Sequence, residues 1–308
     1  MSLPARTPSP STQKLTLVPA KPQRRSAYTP LALWHLLSLD APSVAALWTV
    51  FVAHCSGVTL SPTAPAPMFL AVWMLYATDR LLDARLLDTN PPHNHLPELE
   101  ERHRFHHRYK GFFLAGIVCA SITLAMLLPR LDPAALRLYA LLASLLFAYF
   151  FLIHIYRSPT HRLPKELAVG LFFPAAIFIP TVARAPGLRL ALAPGAILFA
   201  AVCTLNCLYL YAWEHPGSRD SAHWTTRFAT RHLRMISVLT ALTACLVAAL
   251  QIHAGERRPM VLLALASGTS AMLLLFLHVL RHRFSPIRLR AAADLALLTP
   301  LLLLPFAR

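Results

Sequence analysis

Nine apolar runs, each close to the length of a bilayer crossing, constrain this chain more than any other feature. They cover approximately residues 42–60, 65–82, 111–129, 134–155, 166–184, 190–212, 234–253, 259–280 and 288–306. A transmembrane helix needs roughly 20 predominantly apolar residues. In lipid the backbone polar groups must be satisfied internally, so such runs become helices. Only 14% of the 308 residues are charged, against about 25% in an average soluble domain. The expectation is an all-α, polytopic membrane bundle with about nine transmembrane helices.

Residues 1–40 stand apart from residues 41–308. They are rich in Pro, Ser, Thr and basic residues and contain no apolar stretch of the kind a signal peptide requires. A disordered cytoplasmic tail through about Arg25 is expected, followed by a short interfacial segment at Trp34–Leu39. The net charge of +16 raises the question of nucleic acid, but its distribution answers otherwise. With the N-terminus in the cytoplasm, 22 of the 29 Lys and Arg fall on the inside. That bias sets an N-in, C-out orientation and makes membrane lipid, not nucleic acid, the partner of the basic charge. The cysteines all lie in apolar runs and read as packing residues, Cys203 and Cys207 included.

With orientation set, the acidic residues become informative. Most gather at inside helix ends or inside loops, whereas Asp40, Asp132, Glu256 and Asp294 do not. The stretch Y-A-T-D-R-L-L-D, Tyr76 to Asp83, leaves the second run on the inside. Asp79 and Asp83 are one turn apart, about 40° around the helix, and Tyr76 continues the same stripe. Two carboxylates so placed repel unless a cation or arginine lies between them. Arg80 and Arg85 offer local pairing, while a bundle-facing site is the sharper expectation, because charge near lipid usually faces a cavity or a partner.

A second polar group ends the sixth run. Asn206, Tyr209 and Trp213 share a face, with Glu214 beside them. Taken alone, Asn206 reads as interhelical hydrogen bonding, and Tyr209, Tyr211 and Trp213 as an interfacial aromatic belt, ahead of a site. Between the second and third runs, E-R-H-R-F-H-H-R-Y-K supplies His103, Arg104 and His107 as donors for phosphate oxygens. Lys165 at the inside entry of the fifth run is another candidate anion ligand. Asp294, within the ninth run, has Arg290 one turn before it and reads either as half of an ion pair or as a cavity-lining group.

The helix number, the Asp-bearing exit of the second run and the polar exit of the sixth together resemble the UbiA-type membrane prenyltransferase superfamily over about residues 40–308. The family's first motif is N-D-x-x-D-x-x-x-D. In the matching register Asp79 and Asp83 fall on its second and third aspartates, while Leu75 and Tyr76 stand where it has Asn and Asp. Its second motif is matched only by the tyrosines around Asn206 and by Glu214. The resemblance implies a helical bundle around a central cavity, with Mg²⁺ held over a prenyl diphosphate by Asp79, Asp83 and Glu214 as catalytic, metal-binding carboxylates. Arg80, His103, Arg104, His107 and Lys165 would take up diphosphate charge, and Tyr76, Asn206, Tyr209 and Asp294 would line the cavity.

The function expected is therefore transfer of a prenyl group from a prenyl diphosphate to an acceptor, in a multi-pass protein of a bacterial inner (plasma) membrane. Two other classes compete with it. One is a catalytically inactive UbiA-fold protein with a lipid-binding or structural role. The other is an ion-coupled secondary transporter using Asp294 and the Asp79/Asp83 pair, against which stand an odd helix count and no internal repeat.

Overall fold

A computed structural model describes residues 29–89, 104–155, 165–215, 223–255 and 258–306, with the backbone alone at 83–89, 150, 152–155, 165 and 258–259. All regular structure among these residues is helical. The order is α1 (Pro30–Leu36), α2 (Asp40–Cys55), α3 (Pro65–Thr89), a helical turn at 104–108, α4 (Lys110–Leu127), α5 (Pro133–Ile155), α6 (Lys165–Arg184) and α7 (Arg189–Glu214). Then come α8 (Trp224–Arg231), α9 (Leu233–His253), α10 (Arg258–Leu280), α11 (Pro286–Leu295) and α12 (Pro300–Leu303).

Every apolar run lies on a helix, and six spans among the described residues are long and apolar enough to cross a membrane. A seventh is α1 with α2, if that pair, bent by 89°, is one broken span. The chain is a multi-pass membrane protein. Two of the nine expected helices are shorter or more broken than their runs suggest. α2 has 16 residues, and the ninth run is interrupted at 296–299 between α11 and α12. Pro300 causes the second break. It has no N–H for the helix ladder, and its ring crowds the carbonyl four residues earlier.

The freed polar groups at that break find partners on neighbouring helices. Trp48 Nε1 donates to Leu297 O at 2.7 Å. Thr299 Oγ1 donates to Ala266 O at 3.0 Å and meets Ser270 Oγ at 2.8 Å. The break is thereby fastened to α2 on one side and α10 on the other. The core is built around Trp48, fully buried and stacked on Phe199 with ring centroids 3.8 Å apart. α2, α6, α7 and α10 supply most of it. α4 sits at the edge: only 11% of its span is buried, so Phe112, Val118, Ile122 and Met126 present an apolar face outward.

Helices meet closely where a side chain is missing. A Cβ on Gly170 of α6 would overlap the Thr204 side chain of α7, and one on Gly268 of α10 would press on Ala244 Cβ of α9 at 2.9 Å. Small residues at crossings are how membrane helices gain contact without a hydrophobic driving force. Overpacking such a contact costs about 1–3 kcal/mol. Gly170→Ala should therefore lower the thermal midpoint of the detergent-purified protein, whereas Gly187→Ala, with open space around it, should leave it nearly unchanged.

Candidate functional site

The site begins with a corner. α1 ends in a left-handed residue, Ser38 at φ 59°. Ser38 N donates to His35 O and Leu39 N to Trp34 O, both at 3.0 Å. This is the hydrogen-bond pattern of a Schellman C-cap, in which glycine is the usual residue at the left-handed position. Ser38 bears the strain because its hydroxyl is enclosed, 3.5 Å from His106 Nε2 on the turn before α4. Two carbonyls at this corner also accept from α3. Arg80 donates to His35 O at 2.6 Å, and Trp73 Nε1 to Leu37 O at 3.1 Å. A guanidinium at a helix C-terminus is also favoured by the helix dipole.

Around this corner polar side chains converge from α1, α2, α3, α7 and α11. His35 Nδ1 donates to Asp40 Oδ2 at 2.5 Å, and Arg80 donates to the same oxygen at 3.2 Å. Asp40 Oδ1 accepts from the Ala41 amide at 3.0 Å, so this buried carboxylate is filled on both oxygens. Asp294 Oδ2 faces His35 Nδ1 at 4.0 Å, while its Oδ1 accepts from Asn206 Nδ2 at 3.0 Å. Tyr76 lies within electrostatic reach of Asp40, Arg80, Cys207 and Asp294. Beside the group, Arg290 of α11 pairs with Glu214 at the end of α7.

Several sequence-based expectations land differently. Tyr76, Arg80, Asn206 and Asp294 come together, but Arg80 contacts a buried carboxylate and a carbonyl of the chain itself. Asp79 is exposed and Arg80 is buried. From Tyr76, Arg80 lies about 40° to one side and Asp79 about 60° to the other, and the bundle takes the arginine side. Glu214 is engaged by Arg290, which also replaces the anticipated pairing of Arg290 with Asp294. Tyr209 belongs to another network, bonded to Ser237 Oγ at 2.7 Å and stacked on Trp213, whose indole donates to His278. Arg104 and His107 are exposed on the turn 104–108. His103 and the side chains of Asp83, Asp88 and Lys165 lie outside the described residues, as do Asp220, Glu98–Glu101 and the tail through residue 28.

His35 and Asp40 were not foreseen. His35 lies in the segment Trp34–Leu39 expected at the membrane surface, with Asp40 directly after it, and both instead enter the buried group, His35 3% and Asp40 1% exposed. Their separation of five residues across a bend matches no helical spacing, so no periodicity pointed to them. His35, Asp40 and Asp294 form the one trio of His, Cys, Asp or Glu among the described residues whose ligand atoms gather within 4.8 Å.

Comparison of the chain with family profiles, curated proteins and solved structures returned no match in any of the three.

Removing one member of a buried ion pair strands the other and costs about 3–5 kcal/mol. Arg80→Ala should show that loss in thermal unfolding, because Asp40 loses its compensating charge and the His35 carbonyl one of its two donors. Arg80→Lys, a single ammonium in place of two separated N–H groups, should recover only part of it. Ser38→Gly should raise the midpoint, since about 1 kcal/mol of left-handed strain outweighs a 3.5 Å contact to His106.

Proposed function

We propose that this chain is a UbiA-like integral membrane protein of the bacterial inner membrane, with nine helices in an N-in, C-out arrangement. In this reading it transfers a prenyl group from a prenyl diphosphate to an acceptor at its cytoplasmic end. One observation carries the proposal. Five polar side chains, His35, Asp40, Arg80, Asn206 and Asp294, are drawn from five separate helices into one end of an otherwise apolar bundle. Polar and charged groups are expensive in a membrane, and there they mark binding sites more often than they add stability. The isoprenoid chain would lie among the apolar helices, and the diphosphate at the mouth, where Arg104 and His107 are exposed on the adjoining turn.

Mg²⁺ is the cofactor this reading implies, where it would neutralise the leaving diphosphate. The described members of the expected ligand set do not fit it as they stand. Glu214 is held by Arg290, and Asp79 is exposed whereas Arg80 beside it is buried. No step is assigned to the ion. This engagement of Glu214 favours a second reading, a catalytically inactive UbiA-fold protein that binds an isoprenoid lipid.

Thermal unfolding of detergent-purified protein with farnesyl and geranylgeranyl diphosphate, with and without Mg²⁺, separates the two readings. A ligand at 100 times its Kd stabilises by about 2.7 kcal/mol. The prenyltransferase reading expects a Mg²⁺-dependent upward shift that the Asp79→Ala/Asp83→Ala variant loses. A shift indifferent to Mg²⁺ and to that variant supports the binding protein. No shift with either diphosphate, in folded protein, refutes both.

A further inference from the structure

We infer that α8 and the adjoining ends of α9 and α10 bind the phosphate headgroup of an anionic phospholipid, with Arg234, Arg281 and His278 as its donors. The inference is independent of the prenyl-transfer reading. It uses none of the residues expected there to hold a diphosphate or Mg²⁺.

The first observation is a convergence of donors. Trp213 Nε1 donates to His278 Nδ1 at 3.1 Å, and Tyr209 OH meets Ser237 Oγ at 2.7 Å, so the end of α7 ties the last turn of α10 to the first turns of α9. Arg281 donates to His278 O at 2.9 Å. Arg234, Arg281 and His282 all lie within electrostatic reach of the His278 ring. An indole N–H only donates, so His278 Nδ1 accepts and the ring proton sits on Nε2. That N–H has no partner among the described residues and stands beside two guanidinium groups.

The second observation is charge without compensation. Neither 223–253 nor 258–293 contains an Asp or Glu, yet Arg227, Arg231, Arg234, Arg281 and Arg283 lie at this end. Among the described residues none of these five has an ion pair. Glu166 meets α8 on its buried side, where it accepts from Thr226 Oγ1 at 3.3 Å. The guanidinium fork matches phosphate oxygens. A cluster of arginines next to membrane spans is the recognised form of an anionic-headgroup site.

Location selects a lipid over a free phosphate ion. α8 joins two spans, α7 and α9, and so lies at the membrane boundary. Its Thr226 is buried, while Trp224 and Phe228, one turn apart, are 64% and 57% exposed. Arg227 and Arg231 each follow one of these aromatics by three residues and stand beside it on the helix surface. Exposed aromatics interleaved with arginines suit a helix lying in the headgroup layer. From Arg234, Val238 and Leu242 continue along α9 at one-turn intervals and are exposed, as are Phe276 and Val279 on α10. A headgroup held at the arginines therefore has apolar surface beneath it for its acyl chains.

The test is lipid retention. Detergent-purified protein is incubated with equal amounts of phosphatidylglycerol and phosphatidylcholine, and the lipid retained is counted by native mass spectrometry, with thermal unfolding on the same samples. Wild type should retain phosphatidylglycerol in preference and unfold at a higher temperature with it. Arg234→Gln/Arg281→Gln should lower phosphatidylglycerol retention by about tenfold or more, lose the thermal shift and leave phosphatidylcholine unchanged. Arg227→Gln/Arg231→Gln, on the exposed side of α8, should act in the same direction and serves as the test if the first variant does not fold. Arg130→Gln/Arg137→Gln removes the same charge around the turn between α4 and α5 and should match wild type. Size-exclusion chromatography selects folded samples. Equal retention of the two lipids by folded wild type overturns the inference. So does an undiminished preference in the α8 and α9–α10 variants, an equal loss in Arg130→Gln/Arg137→Gln, or an equal thermal shift with inorganic phosphate alone.

Discussion

The guanidinium of Arg80 is the contact on which the polar end of this bundle depends. It reaches from α3 to the C-terminal end of α1 and to a buried carboxylate at once. Without it the bend between α1 and α2 loses one of the two donors on the His35 carbonyl, and Asp40 is an uncompensated charge in an apolar interior. Both are costs that a membrane protein cannot pass on to solvent. The bend in turn directs His35 inward, and His35 is the group toward which Asp294 turns from α11. One long side chain therefore links a local capping problem to an electrostatic one. The tight Ser38 turn, the indole of Trp73 and the docking of His106 are further braces on the same corner.

The opposite constraint shapes the far side of that cluster. Asp294 is placed by a helix that stops early: α11 ends at Leu295, and in the break before Pro300 the Leu297 carbonyl accepts from Trp48 and the Thr299 hydroxyl donates to α10. A continuous ninth helix would have needed no such fastening. The break thus converts a sequence defect into three interhelical hydrogen bonds, and these hold the segment that carries the second carboxylate.

Much of this architecture was legible in the residues. Apolar length alone located every long helix, since hydrophobic matching to lipid is a strong and local signal. The breaks were harder. Pro300 is plainly visible, yet prolines at 174 and 180 sit inside an unbroken α6, so the residue type does not decide and the neighbouring helices do. The polar end was legible in part. Tyr76, Asn206 and Asp294 were singled out because polar groups are scarce in such a chain. Facing was not legible at Asp79 and Arg80, neighbours on a helix with polar residues on two sides and too small a difference in periodicity to show which side the bundle takes. His35 and Asp40 were hidden for another reason: their relation exists only across a bend, and linear spacing has no register for it.

The cluster also has an order in time. A chain made from its N-terminus delivers His35, Asp40 and Arg80 long before Asn206, and Asp294 last. The early hairpin of α2 and α3 can enter the membrane with its charges matched, Arg80 against Asp40, and needs nothing from later helices to be electrically tolerable. The second acidic side chain, Asp294, arrives only when the rest of the bundle is present to receive it. Assembly of the polar end is in this sense the closing step of biogenesis, and a chain interrupted before α11 would carry the neutral half of the cluster alone.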